Sequence, residues 1–234
     1  MLRMRVFLSL LLVGFSFQTV LAEELSFEDR VRAFILDNPE IILEALTVLS
    51  ERDAEAALQA RLSEVPELFA GTSRLGEGDA LAPIRVIEFF DYKCLPCKAA
   101  HPRLVALVDA NPEIRLEMRH LPILTPGSEW ATRFALATEA VHGTEAYRAV
   151  HDRLWRTNGP LNTPVFRRIA RELDLDFDSI EPAMDSEAVD TRIEFNRDIA
   201  ITLEVFGTPA FVTPNSVVVG STDVEALSEV WLSQ

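Results

Sequence analysis

The strongest constraint on the fold is a long helical pattern over about 128–204, which divides the predicted β-strands into two groups. Before it, an apolar β-branched run at 84–90 predicts a buried strand and an alternating pattern at 114–120 predicts a second strand, and a helix that begins at Cys94 connects them. After it come a predicted hairpin over 209–219 and a closing helix over 222–232, with Thr222 as its N-cap. Because strands on both sides of the helical pattern must share a sheet, we predict an α/β fold with helices inserted mid-sheet.

A second helical region is predicted before the α/β part. Over residues 25–69 apolar side chains recur at helical spacing, with a break at Asn38 and Pro39, and Ser26 and Asn38 are predicted N-caps. A segment of roughly 45 residues is too short to form its own core. It is therefore expected either to pack on its own chain as an arm or to serve as an oligomerisation element, and a linker is predicted over 71–82.

The first 22 residues have the pattern of a secretory signal peptide. Arg3 and Arg5 form a basic start, residues 6–20 are largely apolar, and Ala22 is a small residue suited to cleavage after it. The alternative is a retained membrane anchor, but the apolar run is shorter than the roughly 20 residues that a spanning helix needs. We predict a signal peptide over 1–22 and export of the remaining chain.

The charge of the chain excludes some classes of partner. The formal net charge is −15, and removal of the two arginines of the predicted signal peptide, which contains no acidic residue, makes it −17. Such acidity argues against binding to nucleic acid and to anionic membrane surfaces. We therefore predict no nucleic-acid partner.

The sequence contains only two cysteines, Cys94 and Cys97, at the start of a predicted helix. Backbone N–H groups and the helix dipole at that position stabilise a thiolate, and the second sulfur is close enough to displace a mixed disulfide. A disulfide across two intervening residues closes a loop too small to stabilise the fold much. The pair therefore favours thiol–disulfide exchange over a structural role.

Two separated motifs resemble the DsbA-like bacterial thiol–disulfide oxidoreductases. They are Glu-Phe-Phe-Asp-Tyr-Lys-Cys-Leu-Pro-Cys-Lys at 88–98 and Gly-Thr-Pro-Ala-Phe at 207–211, and the likeness extends over 83–234. It implies a thioredoxin fold with a helical domain inserted at about 127–204. Residues 31–49 also look like the N-terminal region of the branch that contains the suppressor-of-copper-sensitivity protein C and related disulfide isomerases, some of which oligomerise through this region.

The resemblance assigns roles to five residues. It implies that Cys94 is the nucleophile, that Cys97 is the resolving thiol, and that Pro209 is a cis-proline facing the cysteine pair. It further implies that Thr208 pairs with an extended substrate segment and that Glu88 is a buried acid assisting proton transfer at the resolving thiol. From the residues alone, an ordinary trans proline and a solvent-facing glutamate remain the alternatives.

The residues around the cysteines depart from the pattern of the strongest oxidants. Pro96 occupies the position where many oxidising members carry histidine, so we predict a Cys94 thiol pKa that is less lowered and a less oxidising disulfide. The charges of Lys93 and Lys98 would lower the Cys94 thiol pKa if the lysines lie against it, but exposed lysines are usually solvated, which is the alternative. Residues expected to form an apolar substrate surface are Tyr92, Leu95, Pro96 and Phe211.

The resemblance implies a periplasmic thiol–disulfide oxidoreductase, more an isomerase or reductase than a primary oxidase. Its expected partners are exported substrate proteins with cysteines, a membrane thiol–disulfide exchange protein, and a second copy bound through residues 25–69. No cofactor is expected. The alternatives are a DsbA-type oxidase that introduces disulfides, and a copper-binding periplasmic protein that uses the same two thiolates, because Cu(I) prefers soft ligands. We predict no dedicated metal site, because the four histidines lack ligand spacing.

Overall fold

The computed structural model describes residues 26–70, 75–220 and 222–233. The predicted signal peptide and its cleavage position after Ala22 lie outside these ranges. The described residues form two compact units, one ending at Ser50 and one beginning at Glu51. No helix in the described ranges is both long enough and apolar enough to cross a membrane.

The secondary structure follows the predicted order of strands and helices. In chain order the described elements are α1 (Phe27–Asp37), α2 (Glu40–Ser63), α3 (Glu67–Ala70), β1 (Gly76–Glu77), β2 (Ile84–Phe90), α4 (Leu95–Ala110), β3 (Ile114–His120), α5 (Pro126–Arg156), α6 (Thr163–Glu172), α7 (Phe177–Ala183), α8 (Glu187–Thr202), β4 (Ala210–Thr213), β5 (Ser216–Val219) and α9 (Val224–Leu232). The helices α5 to α8 lie between β3 and β4, which confirms the predicted mid-sheet insertion.

The N-terminal helices begin and end close to the predicted positions, with one change of cap. Ser26 caps α1, because its hydroxyl oxygen accepts the N–H of Asp29 at 3.1 Å. The predicted N-cap role of Asn38 at α2 is wrong. Its side-chain amide instead donates to the carbonyl of Phe34 at 2.8 Å, and Asn38 closes the C-terminal end of α1.

The sheet has the strand order β1-β3-β2-β4-β5, with β2 and β3 parallel and the other described pairs antiparallel. Strand β2 is central, and Glu88 on it lies opposite Met118 of β3 and Phe211 of β4. The two-residue strand β1 lies within the predicted 71–82 linker and was not predicted, because it is too short to show an alternating pattern.

Three apolar clusters fill the α/β unit. Successive side chains of β2 point to opposite faces of the sheet, so that the two faces pack against different helices. Val86 packs with Leu104 of α4 and Trp231 of α9, whereas Ile87 and Phe89 share a cluster with Ile199 of α8. The third cluster fills the inserted helices and reaches the cysteine pair, and its buried aromatic members include Phe90, Tyr92, Phe134, Tyr147, Trp155, Phe166 and Phe177.

Candidate active site

The two cysteines form a disulfide at the N-terminus of α4. Cys94 is the N-cap, and its sulfur accepts the backbone N–H of Cys97 at 3.1 Å. Cys97 is fully buried, and Cys94 is 2% exposed. The predicted position of the pair at a helix start is confirmed. In the dithiol state the same N–H would point at the Cys94 sulfur and stabilise its thiolate.

The loop before β4 lies against the disulfide. The carbonyl oxygen of Thr208 is 3.3 Å from the sulfur of Cys94, although the two residues are 114 positions apart in the chain. The peptide bond between Thr208 and Pro209 is cis, and the ordinary trans alternative is not observed. The fold thus brings together the two motifs that the sequence separates by the helical insertion.

Glu88 is completely buried in the centre of the sheet, so the solvent-facing alternative is wrong. On β2 it shares a face with Val86, which packs against α4, and with Phe90, which belongs to the same cluster as Cys97. Neither carboxyl oxygen has a hydrogen-bond partner among the described residues. Burial raises the pKa of Glu88 from 4.5 to about 8.

Asp91 connects the active-site loop to the loop after β3, a role that the sequence interpretation missed. Its carboxylate accepts the N–H of Lys93 at 2.7 Å and those of Ile123 and Leu124 at 3.0 Å. Its side chain is buried. The available signal was an aspartate between a buried strand and a helix start, where Asp commonly accepts backbone N–H groups two residues on.

The two lysines that flank the cysteines donate hydrogen bonds to carbonyls at and just after the C-terminal end of α5, so neither is merely solvated. The ammonium group of Lys93 donates to the carbonyl of Gly159 at 2.7 Å, and that of Lys98 to the carbonyl of Thr157 at 2.6 Å. Burial, and then the charge of Lys93, lower the pKa of Lys98. These are the only two lysines in the chain.

The apolar surface near the disulfide differs from the expected one. Leu95 is 72% exposed, but Tyr92 and Phe211 are fully buried in the core, so their predicted surface role is wrong. Tyr92 hydrogen-bonds His151 through its hydroxyl at 2.9 Å, and Phe211 packs on Trp231. Three other apolar side chains are exposed. Phe206 lies two residues before Thr208, and Ile123 and Leu124 follow β3 and donate their backbone N–H groups to Asp91.

Two histidines are buried in an aromatic cluster rather than exposed as ligands. His120 contacts the hydroxyl of Tyr147 through Nε2 at 2.7 Å, and burial lowers the pKa of His151 to about 3. Both rings pack against Phe90. Within the described ranges, no group of three or more His, Cys, Asp or Glu side chains is placed to hold a metal ion.

Residues 85–230 match the family model of the DSBA-like thioredoxin domain. The chain belongs to this family. Residues 23–56 match a second model, that of the copper resistance protein ScsC N-terminal domain. The resemblance drawn from the two motifs and the one drawn from residues 31–49 are therefore confirmed.

Solved structures place the DSBA-like chain among thioredoxin-like proteins. A thioredoxin-like oxidoreductase from Silicibacter pomeroyi DSS-3 is 35% identical with a TM-score of 0.60, over 66% of this chain and 88% of that one. The thiol-disulfide exchange protein alpha-DsbA2 from Wolbachia pipientis is 22% identical with a TM-score of 0.66, over 77% and 97%. ScsC from Proteus mirabilis is 21% identical with a TM-score of 0.63, over 88% and 95%. The last two show the fold alone.

Two curated relatives are much longer proteins. Na(+)/H(+) antiporter NhaA 1 from Salinispora arenicola is 34% identical over 151 residues, and NhaA 3 from Salinispora tropica is 32% identical over 156 residues. These matches cover 64% and 67% of this chain but only 23% and 24% of the antiporters. The chain thus spans about a quarter of the length of these relatives.

The DSBA-like chain therefore combines the fold of a thiol–disulfide oxidoreductase with a Cys-x-x-Cys disulfide at the N-terminus of a helix. The thioredoxin fold with an inserted helical part and an N-terminal helical region, predicted from the resemblance, is confirmed.

Proposed function

We propose that the protein is a periplasmic thiol–disulfide oxidoreductase that isomerises or reduces disulfides of exported proteins. The observation that carries this proposal is the Cys94 sulfur, which accepts a helix N-terminal N–H and lies 3.3 Å from the carbonyl of Thr208. Pro96 in place of a histidine supports the isomerase or reductase direction over primary oxidation. The predicted signal peptide supports the periplasmic location.

The proposed reaction begins with the reduced protein. The Cys94 thiolate attacks one sulfur of a wrong substrate disulfide, a bond forms between these two sulfurs, and the other substrate sulfur leaves as a thiolate. In isomerisation, that thiolate attacks a different substrate disulfide, and a substrate thiolate freed in this way attacks the mixed disulfide and displaces Cys94 as a thiolate, so that no electrons are gained or lost. In reduction, Cys97 attacks the mixed disulfide, which oxidises the protein pair and releases a reduced substrate.

The surrounding residues have separate proposed roles. Thr208 pairs through its backbone with an extended substrate segment, and Pro209 keeps that loop against the disulfide. Glu88 accepts the proton of Cys97 when this thiol attacks the mixed disulfide. Its pKa of about 8 is close to the value of roughly 8.5 for an unperturbed thiol, and such matching favours proton transfer in both directions.

The test of this function is reactivation of a scrambled-disulfide protein by the reduced mature chain. We expect reactivation with the native protein and none with Cys94→Ser, because the latter cannot form the mixed disulfide. Cys97→Ser should accumulate the mixed disulfide. If the native protein does not reactivate the substrate but oxidises a reduced one, the protein is an oxidase and the proposed direction is wrong.

We further propose that residues 25–69 mediate self-association and that a membrane thiol–disulfide exchange protein restores the redox state of Cys94 and Cys97. The support for self-association is a set of exposed apolar side chains on α1 and α2, an unusual feature for a soluble surface. They include Phe27 at 68%, Phe34 at 59%, Leu36 at 69%, Leu43 at 67% and Leu46 at 56% exposure.

Light scattering on the mature protein tests the self-association. We expect a mass that is a multiple of the chain mass for the native protein and a monomer for Phe34→Glu, because a buried carboxylate at an apolar contact is costly. Leu81→Glu is the matched control, since Leu81 is 89% exposed outside this region. A monomeric native protein would show that the N-terminal helices do not associate.

A further inference from the structure

A cationic cleft lies at the junction of α5 and α6, next to the active-site loop. Its volume is about 270 Å³, and it is lined by Arg153, Arg156, Thr157, Asn158 and Arg168. Three guanidinium groups therefore converge on one cleft in a chain whose formal net charge is −15. Neither the exchange chemistry nor the assigned roles of the cysteines use these groups.

The positive charge of the cleft is only partly compensated. Glu172 pairs with both Arg153 and Arg168, the latter at 3.0 Å. Arg156 is exposed and forms no ion pair with any residue in the described part of the chain. One carboxylate thus faces three guanidinium groups, and the cleft keeps an excess of positive charge.

The cleft is directly connected to the active site. The carbonyls of Thr157 and Gly159, which belong to or border the cleft loop, accept hydrogen bonds from Lys98 and Lys93 on either side of the cysteine pair. The short loop that directly follows Arg153 and Arg156 of α5 therefore also accepts hydrogen bonds from the two lysines that flank the disulfide. A ligand in the cleft would lie beside a polypeptide that reacts at Cys94.

Helix stabilisation alone does not account for the cluster. Arg153 and Arg156 lie in the last turn of α5, where cations interact favourably with the helix dipole. Arg168 comes from the middle of a different helix, α6, and points into the same cleft. Glu172 of α6 binds both Arg153 and Arg168, and Arg156 beside them supplies a guanidinium group that no described carboxylate pairs with and that is suited to bind an anion.

We propose that this cleft binds the carboxylates of an acidic stretch next to the reacting cysteine of a substrate polypeptide. This inference rests on the thiol–disulfide exchange proposed above and specifies its substrate class. Guanidinium groups bind carboxylates through paired N–H donors, and Arg156 is available for such a pair. An acidic protein repels acidic polypeptides at long range. The cleft provides a local attraction at the place where the substrate must stay during exchange.

The experiment compares two synthetic peptides that each contain one cysteine. One carries Glu and Asp beside the cysteine, and its twin carries Gln and Asn at the same positions. Oxidised full-length mature protein reacts with an excess of peptide: one peptide thiolate attacks the Cys94 sulfur and Cys97 leaves as a thiolate. A second peptide thiolate then displaces Cys94, which gives a peptide disulfide and a dithiol protein. Alkylation and mass spectrometry follow the loss of the protein disulfide.

The readout is the ratio of the rate constants for the acidic and the neutral peptide. We expect a ratio of about five for the native protein at low ionic strength, with a decline at high ionic strength. Arg156→Gln should bring the ratio close to one. Arg171→Gln is the matched control, because it removes the same charge from an exposed position of α6 outside the cleft, and it should keep the native ratio.

Two results would overturn the cleft assignment. A native ratio of one or less shows that carboxylates do not help the substrate, and an equal decline in Arg156→Gln and Arg171→Gln shows a general effect of charge. In both cases exchange itself still proceeds. Absence of exchange with either peptide would instead contradict the proposed function, so the two failures are distinguishable.

Discussion

The carboxyl group of Glu88 is neutral over most of the acidic range because burial raises its pKa to about 8. Its oxygens have no hydrogen-bond partner among the described residues, and its strand neighbours across the sheet are Met118 and Phe211. A group in this environment binds its proton more tightly in the folded than in the unfolded chain. Its contribution to stability is therefore complete below the unfolded pKa of 4.5 and is lost as the pH rises through the folded pKa.

Glu88→Gln should remove this pH dependence. Between about pH 5 and about pH 8 we expect the free energy of unfolding of the native protein to fall by up to roughly 1.4 kcal/mol per pH unit, relative to the Gln variant. Chemical denaturation of both oxidised proteins across this range measures the difference. Glu229→Gln, at an exposed position of α9, should show the same pH dependence of the free energy of unfolding as the native protein. Parallel curves for Glu88→Gln would mean that Glu88 does not change its protonation in this range.

Individual site residues were predictable from the sequence when their chemistry depends on near neighbours. The spacing of Cys94 and Cys97 at a helix start was sufficient to predict a reactive pair. Tyr92 and Phe211 were wrongly predicted to be exposed, because their burial depends on side chains that are distant in the sequence, such as His151 and Trp231. Asp91 was missed for a related reason, since two of its three N–H partners lie more than 30 residues away in the chain.

At the scale of elements, the end of α5 depends on α4. Lys98, in the first turn of α4, donates to the carbonyl of Thr157 at 2.6 Å and to that of Leu154 at 3.4 Å. The Leu154 carbonyl lies in the last turn of α5 and also accepts the N–H of Thr157 at 3.1 Å, whereas the Thr157 carbonyl lies at the C-cap, beyond the helical hydrogen bonds. One side chain of the active-site helix therefore caps the first helix of the insertion.

Lys98→Met should loosen that helix end while it keeps the apolar stem of the side chain. We expect faster amide hydrogen exchange in the last turn of α5 and a loss of about 1 kcal/mol in the free energy of unfolding, the typical worth of such a hydrogen bond. Hydrogen exchange followed by mass spectrometry measures the first effect. Arg103→Met is the control, because Arg103 also lies on α4 but its side chain pairs with Glu225 of α9 and not with α5. Unchanged exchange in α5 would show that the lysine does not hold it.

Elements with strong internal patterns were predicted best. The bounds of β2 agree with the apolar β-branched run at 84–90, and those of β3 agree with the alternating pattern at 114–120. The two-residue β1 has no pattern of its own and exists only through its pairing with β3. The N-cap of α9 is Asp223 and not the predicted Thr222. Both residue types are good N-caps, so the sequence did not show at which of the two neighbouring positions the helix begins.

At the scale of the whole molecule, the boundary between the two units lies within α2. The part of α2 after Ser50 belongs to the α/β unit, where Leu62 is buried in the cluster of Ile87 and Phe89. Gln59 donates to the carbonyl of Pro214 at 3.1 Å, and Arg61 pairs with Glu204 at 3.2 Å. This half of the helix is fixed by contacts within its own unit.

A chain that begins at Glu51 should therefore fold without the first unit. We expect its melting temperature to stay within about 4 °C of the native value and its reduction of a small disulfide to persist. Reactivation of a scrambled protein should be lost, because the proposed self-association requires residues 25–69. A chain that begins at Glu64 is the control, and it should lose about 3 kcal/mol through removal of core side chains. Full reactivation by the Glu51 chain would show that isomerisation does not require self-association.

The two lysines of the chain allow the surroundings of the disulfide to be observed selectively by NMR. Of its 22 basic side chains, all except Lys93 and Lys98 are arginines, so the primary amines are these two and the chain terminus. A lysine-selective isotope label would thus produce two side-chain signals, both from groups that flank the disulfide. Reduction, substrate capture and movement of the α5 end could each be followed from these resonances, without an engineered probe.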